Sequence, residues 1–265
     1  MDLGLGDATA VVVGGGRGMG LAAARCLADD GARIALVGRT AAVLEGASAE
    51  LTRRGSPDAV ALVADTGDAA QVQRVFEQIG ERWGGELNIL INAVGPSAQG
   101  TFDELTDDHW HTAIDEGAMG MVRCVRAALP LLRSAEWARI VNFAAQSTQR
   151  QSARLAAYTA AKSMVASVSK NLSLFLAPDE ILVNVVSPGS IASEALTGWA
   201  ESVGVDGTDP YALMAAIDEH FGHPAHLPRA GLPDEIGPVV AFLASRRNSY
   251  MTGANVNVDG GSDFT

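Results

Sequence analysis

Tyr158 and Lys162 are the residues of this 265-residue chain whose types and spacing most directly suggest chemistry. They lie in the stretch AYTAAKSM, residues 157–164, and are four positions apart, so on a helix they share one face. A free phenol has a pKa of about 10, but a neighbouring ammonium favours the phenolate. We therefore predict that Lys162 lowers the pKa of Tyr158, which exchanges a proton with a carbonyl or an alcohol. The alternative is a half-buried helix face whose lysine extends its amine to water.

A glycine-rich turn, VVVGGGRGMGLA, has the composition of a phosphate-binding loop. Glycine permits positive φ and places no Cβ between the backbone and a pyrophosphate, and the following helix directs its N-terminal N–H groups at the anion. No Gly-Lys-Ser/Thr follows, which disfavours a P-loop. A turn without a ligand is the alternative to a dinucleotide site. The predicted cofactor contacts here are Gly14, Gly16, Arg17, Gly18, Met19 and Gly20.

Residues after the second and third predicted strands indicate which dinucleotide is bound. An acid at the end of the second strand would hold the ribose hydroxyl of NAD, but here Gly38 is followed by Arg39 and Thr40. A guanidinium suits a ribose 2′-phosphate, and Arg17 lies in reach of the same group, so we favour NADP(H) over NAD(H). Two surface arginines are the alternative. Asp65 either accepts from the adenine amino group or caps the following helix, a role that Asp68 could also fill.

The elements that position these residues alternate along the chain. Apolar runs predict strands, and longer amphipathic stretches between them predict helices, which is typical of a parallel sheet covered on both faces. The predicted strands are 9–15, 33–38, 59–65, 87–95, 138–145, 181–189 and 254–261. The predicted helices are 18–30, 41–54, 68–82, 107–133, 153–176 and 233–245. We predict one doubly wound α/β domain over residues 1–265, in which 190–230 is a long irregular insertion.

Composition and charge narrow the classes of partner. A formal net charge of -12 repels phosphate backbones and anionic lipids, so we predict no nucleic-acid partner and no membrane partner. No apolar run reaches about 18 residues, and the first residues lack a basic start, which predicts a cytoplasmic protein. Cys26 and Cys124 are expected to be buried, reduced thiols.

These motifs occur together in the order of a known family. The glycine turn, Asn92, the Tyr158/Lys162 pair and NVVSPGSIAS all follow strands, at the edge where an open α/β sheet binds ligands. With AGLPDEIGPVVAFLAS and MTGANVNVDGG, they resemble the classical short-chain dehydrogenase/reductase family from about residue 7 to the C-terminus. The resemblance implies a Rossmann-like domain that reduces carbonyls or oxidises alcohols with a nicotinamide cofactor. It also implies a homo-oligomer, either a tetramer or a dimer.

The resemblance assigns roles to individual residues. Tyr158 matches the acid/base and is also a predicted cofactor contact, and Lys162 matches the residue that holds the nicotinamide ribose and lowers the pKa of the phenol. The other cofactor contacts that it implies are Gly38, Arg39, Asp65, Thr66, Asn92, Ala93, Pro188, Gly189, Ile191 and Ser193, the last in place of the more usual Thr.

Two departures from the family pattern concern catalysis. The asparagine that would anchor a water of the proton relay aligns with Gly117. The substrate-orienting serine, thirteen residues before the tyrosine, aligns with Ala145, which cannot donate a hydrogen bond. Gln146 or Ser147 could take over if the loop is kinked, and Ser147 is included among the catalytic candidates. Losing one such donor typically lowers a rate by about 10²–10³.

The segment 190–230 is expected to form a lid over the nicotinamide. Its aromatic and apolar residues indicate a bulky, largely apolar substrate; the aromatic residues are Trp199, Tyr211 and Phe221. It also carries three histidines, His220, His223 and His226. Because Pro224 and Pro228 break the helix that would align them, we predict no metal site.

Two functions fit the sequence. The first is an NADP(H)-dependent oxidoreductase that acts on a small-molecule carbonyl or alcohol of the 3-oxoacyl, steroid-like or polyketide-like class. The second is a dinucleotide-binding sensor or partner subunit with little or no catalysis, which Gly117 and Ala145 favour. The retained Tyr158 and Lys162 favour the enzyme, which is the function we predict.

Overall fold

A single parallel sheet organises the computed structural model, which describes residues 2–95, 98–222 and 224–262. Seven strands lie in the order β3-β2-β1-β4-β5-β6-β7, which confirms the predicted doubly wound, Rossmann-like α/β fold. The strands are β1 Thr9–Val13, β2 Arg33–Gly38, β3 Ala59–Val63, β4 Ile89–Asn92, β5 Ala138–Phe143, β6 Ile181–Pro188 and β7 Asn255–Val258. The order reverses between β1 and β4, which opens a crevice at the carboxyl ends of these two strands.

Helices cover both faces of the sheet. The helices are α1 Gly18–Asp29, α2 Ala41–Arg54, α3 Ala69–Arg82, α4 Asp107–Ile114, α5 Gly120–Ser134, α6 Ala156–Phe175, α7 Glu194–Ser202, α8 Pro210–Phe221 and α9 Pro233–Ala244. Successive residues of a strand point to opposite faces, so β1 contributes Val11 and Val13 to one core and Ala10 and Val12 to the other. The first core is closed by α3, α5 and α6, and the second by α1, α2 and α9.

The helix predicted over 107–133 is interrupted where it passes the cleft. A π-helical turn, Asp115–Met119, separates α4 from α5 and contains the buried Gly117. The backbone of α5 begins very close to Thr66, because a Cβ on Gly120 would lie 2.8 Å from the Thr66 hydroxyl oxygen. Single π-helical turns inserted in α-helices are frequent at functional sites. The helical stretch predicted over 107–133 is therefore confirmed, whereas the π-helical turn within it was not predicted.

The segment 190–230 is more regular than the sequence suggested. It folds into α7 and α8, which share a small apolar core formed by Ala200, Leu213, Ile217 and Ala230. Asp209 caps α8 by accepting from the backbone N–H of Tyr211 at 2.9 Å, and Pro210 occupies the first turn. The prediction of an irregular insertion was wrong, because two short helices can bury an apolar face against each other.

The remaining expectations about thiols, metals and membranes can be compared with the described residues. Cys124 is buried and Cys26 is only half-buried; both are free thiols. Within residues 2–95, 98–222 and 224–262, no cluster of histidine, cysteine and acidic side chains could hold a metal ion. His223, one of the three lid histidines, lies outside those residues. No described helix combines the length and the apolar character needed to cross a membrane.

Candidate active site

A cleft of about 360 Å³ lies at the carboxyl edge of the sheet, beside the crevice between β1 and β4. It brings together most of the residues predicted to bind the cofactor. Those that line it are Gly14, Gly16, Arg17, Gly18, Met19, Gly20, Gly38, Arg39, Thr40, Asp65, Thr66, Ala93 and Ser193. The sequence motifs therefore converge on one surface, although they are spread over about 180 positions of the chain.

The glycine turn fits a group that approaches the backbone closely. Gly14 has φ +79°, and a Cβ there would lie 2.7 Å from the carbonyl oxygen of Ala93. A Cβ on Gly20 would collide with the carbonyl group of Gly14. Gly18 begins α1 at φ +54° and faces open space, so the first N–H groups of the helix remain approachable. A pyrophosphate is the kind of anion that such a helix N-terminus binds.

The two predicted arginines both reach carboxylates of other elements lining the cleft. Arg17 Nη1 lies 2.5 Å from Glu194 Oε2, at the beginning of α7. Arg39 Nη1 lies 3.9 Å from Glu116 Oε1, in the π-helical turn. Three of the four side chains are mostly solvent-exposed and Glu116 is partly exposed, so neither pair is held rigidly. The sequence patterns indicated the two arginines but neither of the acids.

The two open roles of Asp65 are separated by the structure. Asp68 caps α3, because its carboxylate accepts from the backbone N–H groups of Ala70 and Gln71. Asp65 is thus not needed as the cap; its carboxylate accepts from Gly67 N at 2.9 Å and lines the cleft.

Lys162 is buried directly behind the wall of the cleft. Its ammonium donates to the carbonyl oxygens of Val94 at 3.1 Å and of Phe143 at 2.8 Å, which follow β4 and end β5. A Cβ on Gly95, a cleft residue, would lie 2.7 Å from Lys162 Nζ. Burial lowers the pKa of Lys162 to about 8, because removing water penalises the charged amine.

Tyr158 differs from the prediction in the direction of its pKa shift. Burial raises the pKa of Tyr158 to about 12, whereas the spacing to Lys162 had predicted a lowered value. Removal of water from the phenolate dominates, and the same desolvation weakens the charge of the neighbouring amine. The phenol of the chain alone is therefore a protonated group at neutral pH.

Several residues predicted as catalytic or cofactor contacts do not line the cleft. The Asn92 amide donates to Asn142 Oδ1 at 2.8 Å, and the Asn142 amide donates to Ser169 Oγ, so Asn92 joins β4 to β5 and to α6. The other residues outside the cleft lining are Tyr158, Lys162, Ser147, Pro188, Gly189 and Ile191. Ile191 packs against Gly231, so the turn after β6 is held to the segment before α9.

The loop after β5 contains the two polar residues that were considered as substitutes for the usual serine. Gln146–Thr148 form a single 3₁₀ turn directly after Ala145. Gln146 and Ser147 are each about nine-tenths buried or more, at 4% exposure. Within the described part of the chain, Ser147 Oγ and Gln146 Oε1 have no hydrogen-bond partner. Buried polar atoms without partners are rare in folded proteins and are common where a ligand completes the site.

Comparison with known proteins adds to this geometry. Residues 13–263 match the family model described as Enoyl-(Acyl carrier protein) reductase. An uncharacterized oxidoreductase of Methylorubrum extorquens is 31% identical over 252 residues, 95% of this chain and 96% of that one. The meso-2,3-butanediol dehydrogenase of Serratia marcescens is 30% identical over 95% of this chain and 93% of its own.

A solved structure is similar over the whole chain. It is that of L-sorbose reductase from Gluconobacter frateurii, complexed with NADPH and L-sorbose, at 28% identity. Its TM-score is 0.91, and the match covers 100% of both chains. The parallel sheet, the cleft at its carboxyl edge and these similarities together show that the chain belongs to the short-chain dehydrogenase/reductase family of oxidoreductases.

Proposed function

We propose that this protein is an NADP(H)-dependent oxidoreductase that reduces a carbonyl, or oxidises the corresponding alcohol, by acid–base catalysis at Tyr158 with Lys162. One observation carries the proposal. The same cleft contains the glycine turn and Arg39, and its wall at Gly95 is backed by the amine of Lys162.

The cleft residues account for how a dinucleotide would be held. The turn from Gly14 to Gly20 would bind the pyrophosphate, and Asp65 would accept from the adenine amino group. Arg39 and Arg17 would contact a ribose 2′-phosphate, with the hydroxyl of Thr40 beside them. The complex of L-sorbose reductase with NADPH supports NADP(H) as the cofactor of this chain.

The catalytic residues would each have a defined task. When bound, the nicotinamide supplies or accepts the hydride at the reacting carbon. Tyr158, protonated because burial raises its pKa to about 12, would donate a proton to the carbonyl oxygen during reduction. Lys162, held by the carbonyl oxygens of Val94 after β4 and of Phe143 at the end of β5, would hold the nicotinamide ribose and stabilise the phenolate that remains.

Ser147 would orient the substrate in place of the usual serine. Its buried hydroxyl has no partner among the described residues, and it follows Ala145 by two positions in the 3₁₀ turn. Gln146 offers a second polar group in the same turn. The segment 190–230 would cover the substrate, and its apolar residues support a 3-oxoacyl, steroid-like or polyketide-like carbonyl. The rings of Trp199 and Phe221 pack on each other, with 4.8 Å between their centroids. These two residues therefore support this substrate class only by stabilising the core of the lid.

A second function is favoured by specific residues. Gly117 and Ala145 stand where the family has side chains for a proton relay and for substrate orientation, and the pKa of Tyr158 is not lowered. These features suit a dinucleotide-binding sensor or partner subunit with little turnover.

A homo-oligomer and a cytoplasmic location also stay predictions.

A panel of carbonyl compounds separates the two functions. The purified protein is mixed with NADPH and with 3-oxoacyl thioesters, steroid ketones, aryl ketones and keto sugars, and the nicotinamide absorbance is followed. Oxidation of NADPH that depends on one class of carbonyl supports the enzyme and identifies its substrate. Tight NADPH binding without turnover on any compound would support the sensor, and no binding of either dinucleotide would contradict both functions.

A further inference from the structure

Glu116 is a charged residue of the cleft to which the proposed function gives no role. It belongs to the π-helical turn that interrupts the helix between β4 and β5. Its carboxylate approaches Arg39 from the opposite wall, with 3.9 Å between Oε1 and Nη1. Both residues line the cleft. The carboxylate therefore lies beside the guanidinium that would bind a 2′-phosphate.

The pair is loose enough for either partner to engage a ligand. The Arg39 side chain is 72% exposed and that of Glu116 44% exposed, so solvent screens their attraction. At 3.9 Å the contact is an ion pair at the outer limit of distance, without a hydrogen bond. Glu116 thus contributes little to fixing the position of Arg39, and its main effect on a ligand is its negative charge.

That charge acts differently on the two nicotinamide dinucleotides. A 2′-phosphate is a dianion, which Glu116 repels. Glu116 also partly neutralises the charge of Arg39, the cation that would bind this phosphate. Asp65 adds a second carboxylate to the lining of the same cleft. A 2′-hydroxyl is uncharged and can donate a hydrogen bond to a carboxylate. An acid in this position therefore disfavours NADP(H) relative to NAD(H).

We infer that Glu116 is a specificity-determining residue that reduces the preference of this protein for NADP(H) and keeps NAD(H) within its range. The inference rests on the proposed function, because it requires that Arg39 contact the 2′-phosphate. Glu116 acts through Arg39 and through space, so its effect is confined to the part of the cofactor in which the two dinucleotides differ.

The test measures dissociation constants of NADPH and NADH for the full chain, by calorimetry or by quenching of protein fluorescence. The variants are Glu116→Gln, Arg39→Ala and the combination of both. Glu45→Gln is the matched control, because Glu45 is an exposed acid on α2 that does not line the cleft. This substitution removes the same charge at a position outside the cleft. Melting temperatures establish that each variant is folded.

Glu116→Gln should bind NADPH about 3- to 10-fold more tightly, since one repulsive charge beside a dianion is removed in a solvated site. Its affinity for NADH should stay the same or fall, so the ratio of the two constants shifts toward NADPH. Glu45→Gln should leave the ratio unchanged. In the Arg39→Ala background the effect of Glu116→Gln should be smaller, because competition for the guanidinium is lost.

An unchanged ratio, or a shift toward NADH, in Glu116→Gln would overturn the inference while leaving the proposed function intact. Such a shift toward NADH would mean that the acid holds Arg39 in place for the phosphate. If Arg39→Ala does not weaken NADPH binding, the inference fails while the proposed oxidoreductase function stands. If the unmodified chain binds neither dinucleotide, the proposed function fails and the inference fails with it.

Discussion

Tyr158 and Lys162 show why spacing predicts which residues share a helix face but not how they titrate. Their separation of four residues on α6 places both on one face of that helix, and Lys162 reaches the backbone carbonyls beside the cleft. A pKa, however, also depends on how much water surrounds each group. Burial raises the pKa of the phenol to about 12 and lowers the pKa of the amine to about 8.

Glu116 was also not predicted, because nothing in the stretch IDEGAMG marks a side chain that crosses to another strand's loop.

The charge of Lys162 should make cofactor binding depend on pH. In the chain alone the amine is protonated below a pKa of about 8 and neutral above it. Binding of the anionic dinucleotide favours the protonated form, so the affinity for NADPH should be constant below this value and fall as the pH rises through it. Lys162→Met should remove this dependence. Calorimetric titrations with NADPH at pH values below and above this pKa provide the measurement. If the affinity of the unmodified protein for NADPH does not change over that pH range, the assignment of Lys162 as a cofactor contact is contradicted.

Ser147 should show opposite effects on stability and activity. Ser147→Ala removes a buried hydroxyl that has no partner within the described residues, so the melting temperature should stay the same or rise. If the hydroxyl orients the substrate, kcat/KM for the carbonyl should fall by about 100-fold. Ser169→Ala is the matched control, because its hydroxyl accepts from Asn142 and donates to Val165, and its loss should lower the melting temperature. Unchanged kcat/KM in Ser147→Ala would exclude the role.

At the scale of elements, apolar patterning predicted every strand and most helices. The predicted strand 33–38 and helix 41–54 coincide with β2 and α2, and other strands are shorter by a few residues at their ends. The π-helical turn and the two lid helices were not predictable in the same way. The first depends on close packing of Gly120 against Thr66, and the second on a small core that the segment 190–230 forms with itself.

Two glycines in helices should respond to alanine in opposite ways. Gly237 in α9 packs against α1, and a Cβ there would lie 2.6 Å from the carbonyl oxygen of Ala22. Gly237→Ala should therefore reduce the free energy of unfolding by about 1–3 kcal/mol, since backbone must move. Gly46 in α2 is exposed with nothing near its Cβ position, so Gly46→Ala should increase it by up to about 1 kcal/mol. Denaturant titrations measure both changes in the free energy of unfolding. If the two changes have the same sign, the packing of α1 on α9 is contradicted.

At the scale of the whole molecule, net charge and local charge act in opposite directions. The chain carries a formal charge of -12, yet the cleft presents Arg17 and Arg39 beside the N-terminus of α1. A negative molecule can hold an anionic cofactor because these groups act at short range, whereas distant charges are screened by salt.

Cofactor binding should stabilise the whole fold, because the cleft is assembled from the carboxyl ends of several strands. At a concentration about 100 times the dissociation constant, NADPH should add about 2.7 kcal/mol to the free energy of unfolding. For a chain of this size that corresponds to a rise of about 5–10 °C in melting temperature. Thermal unfolding with and without NADPH measures it, with adenosine as the control ligand. A melting temperature that NADPH does not change would contradict the cofactor assignment.

The most direct test of the central claim compares Tyr158→Phe with the unmodified protein on the carbonyl that the panel identifies. We predict that the variant binds NADPH with the same dissociation constant within about twofold, because the phenol oxygen is only one of many predicted contacts to the dinucleotide. Its rate of NADPH oxidation should fall by at least about 100-fold, because the proton donor is lost. A variant that oxidises NADPH at the unmodified rate would show that Tyr158 is not the acid and would contradict the proposed mechanism.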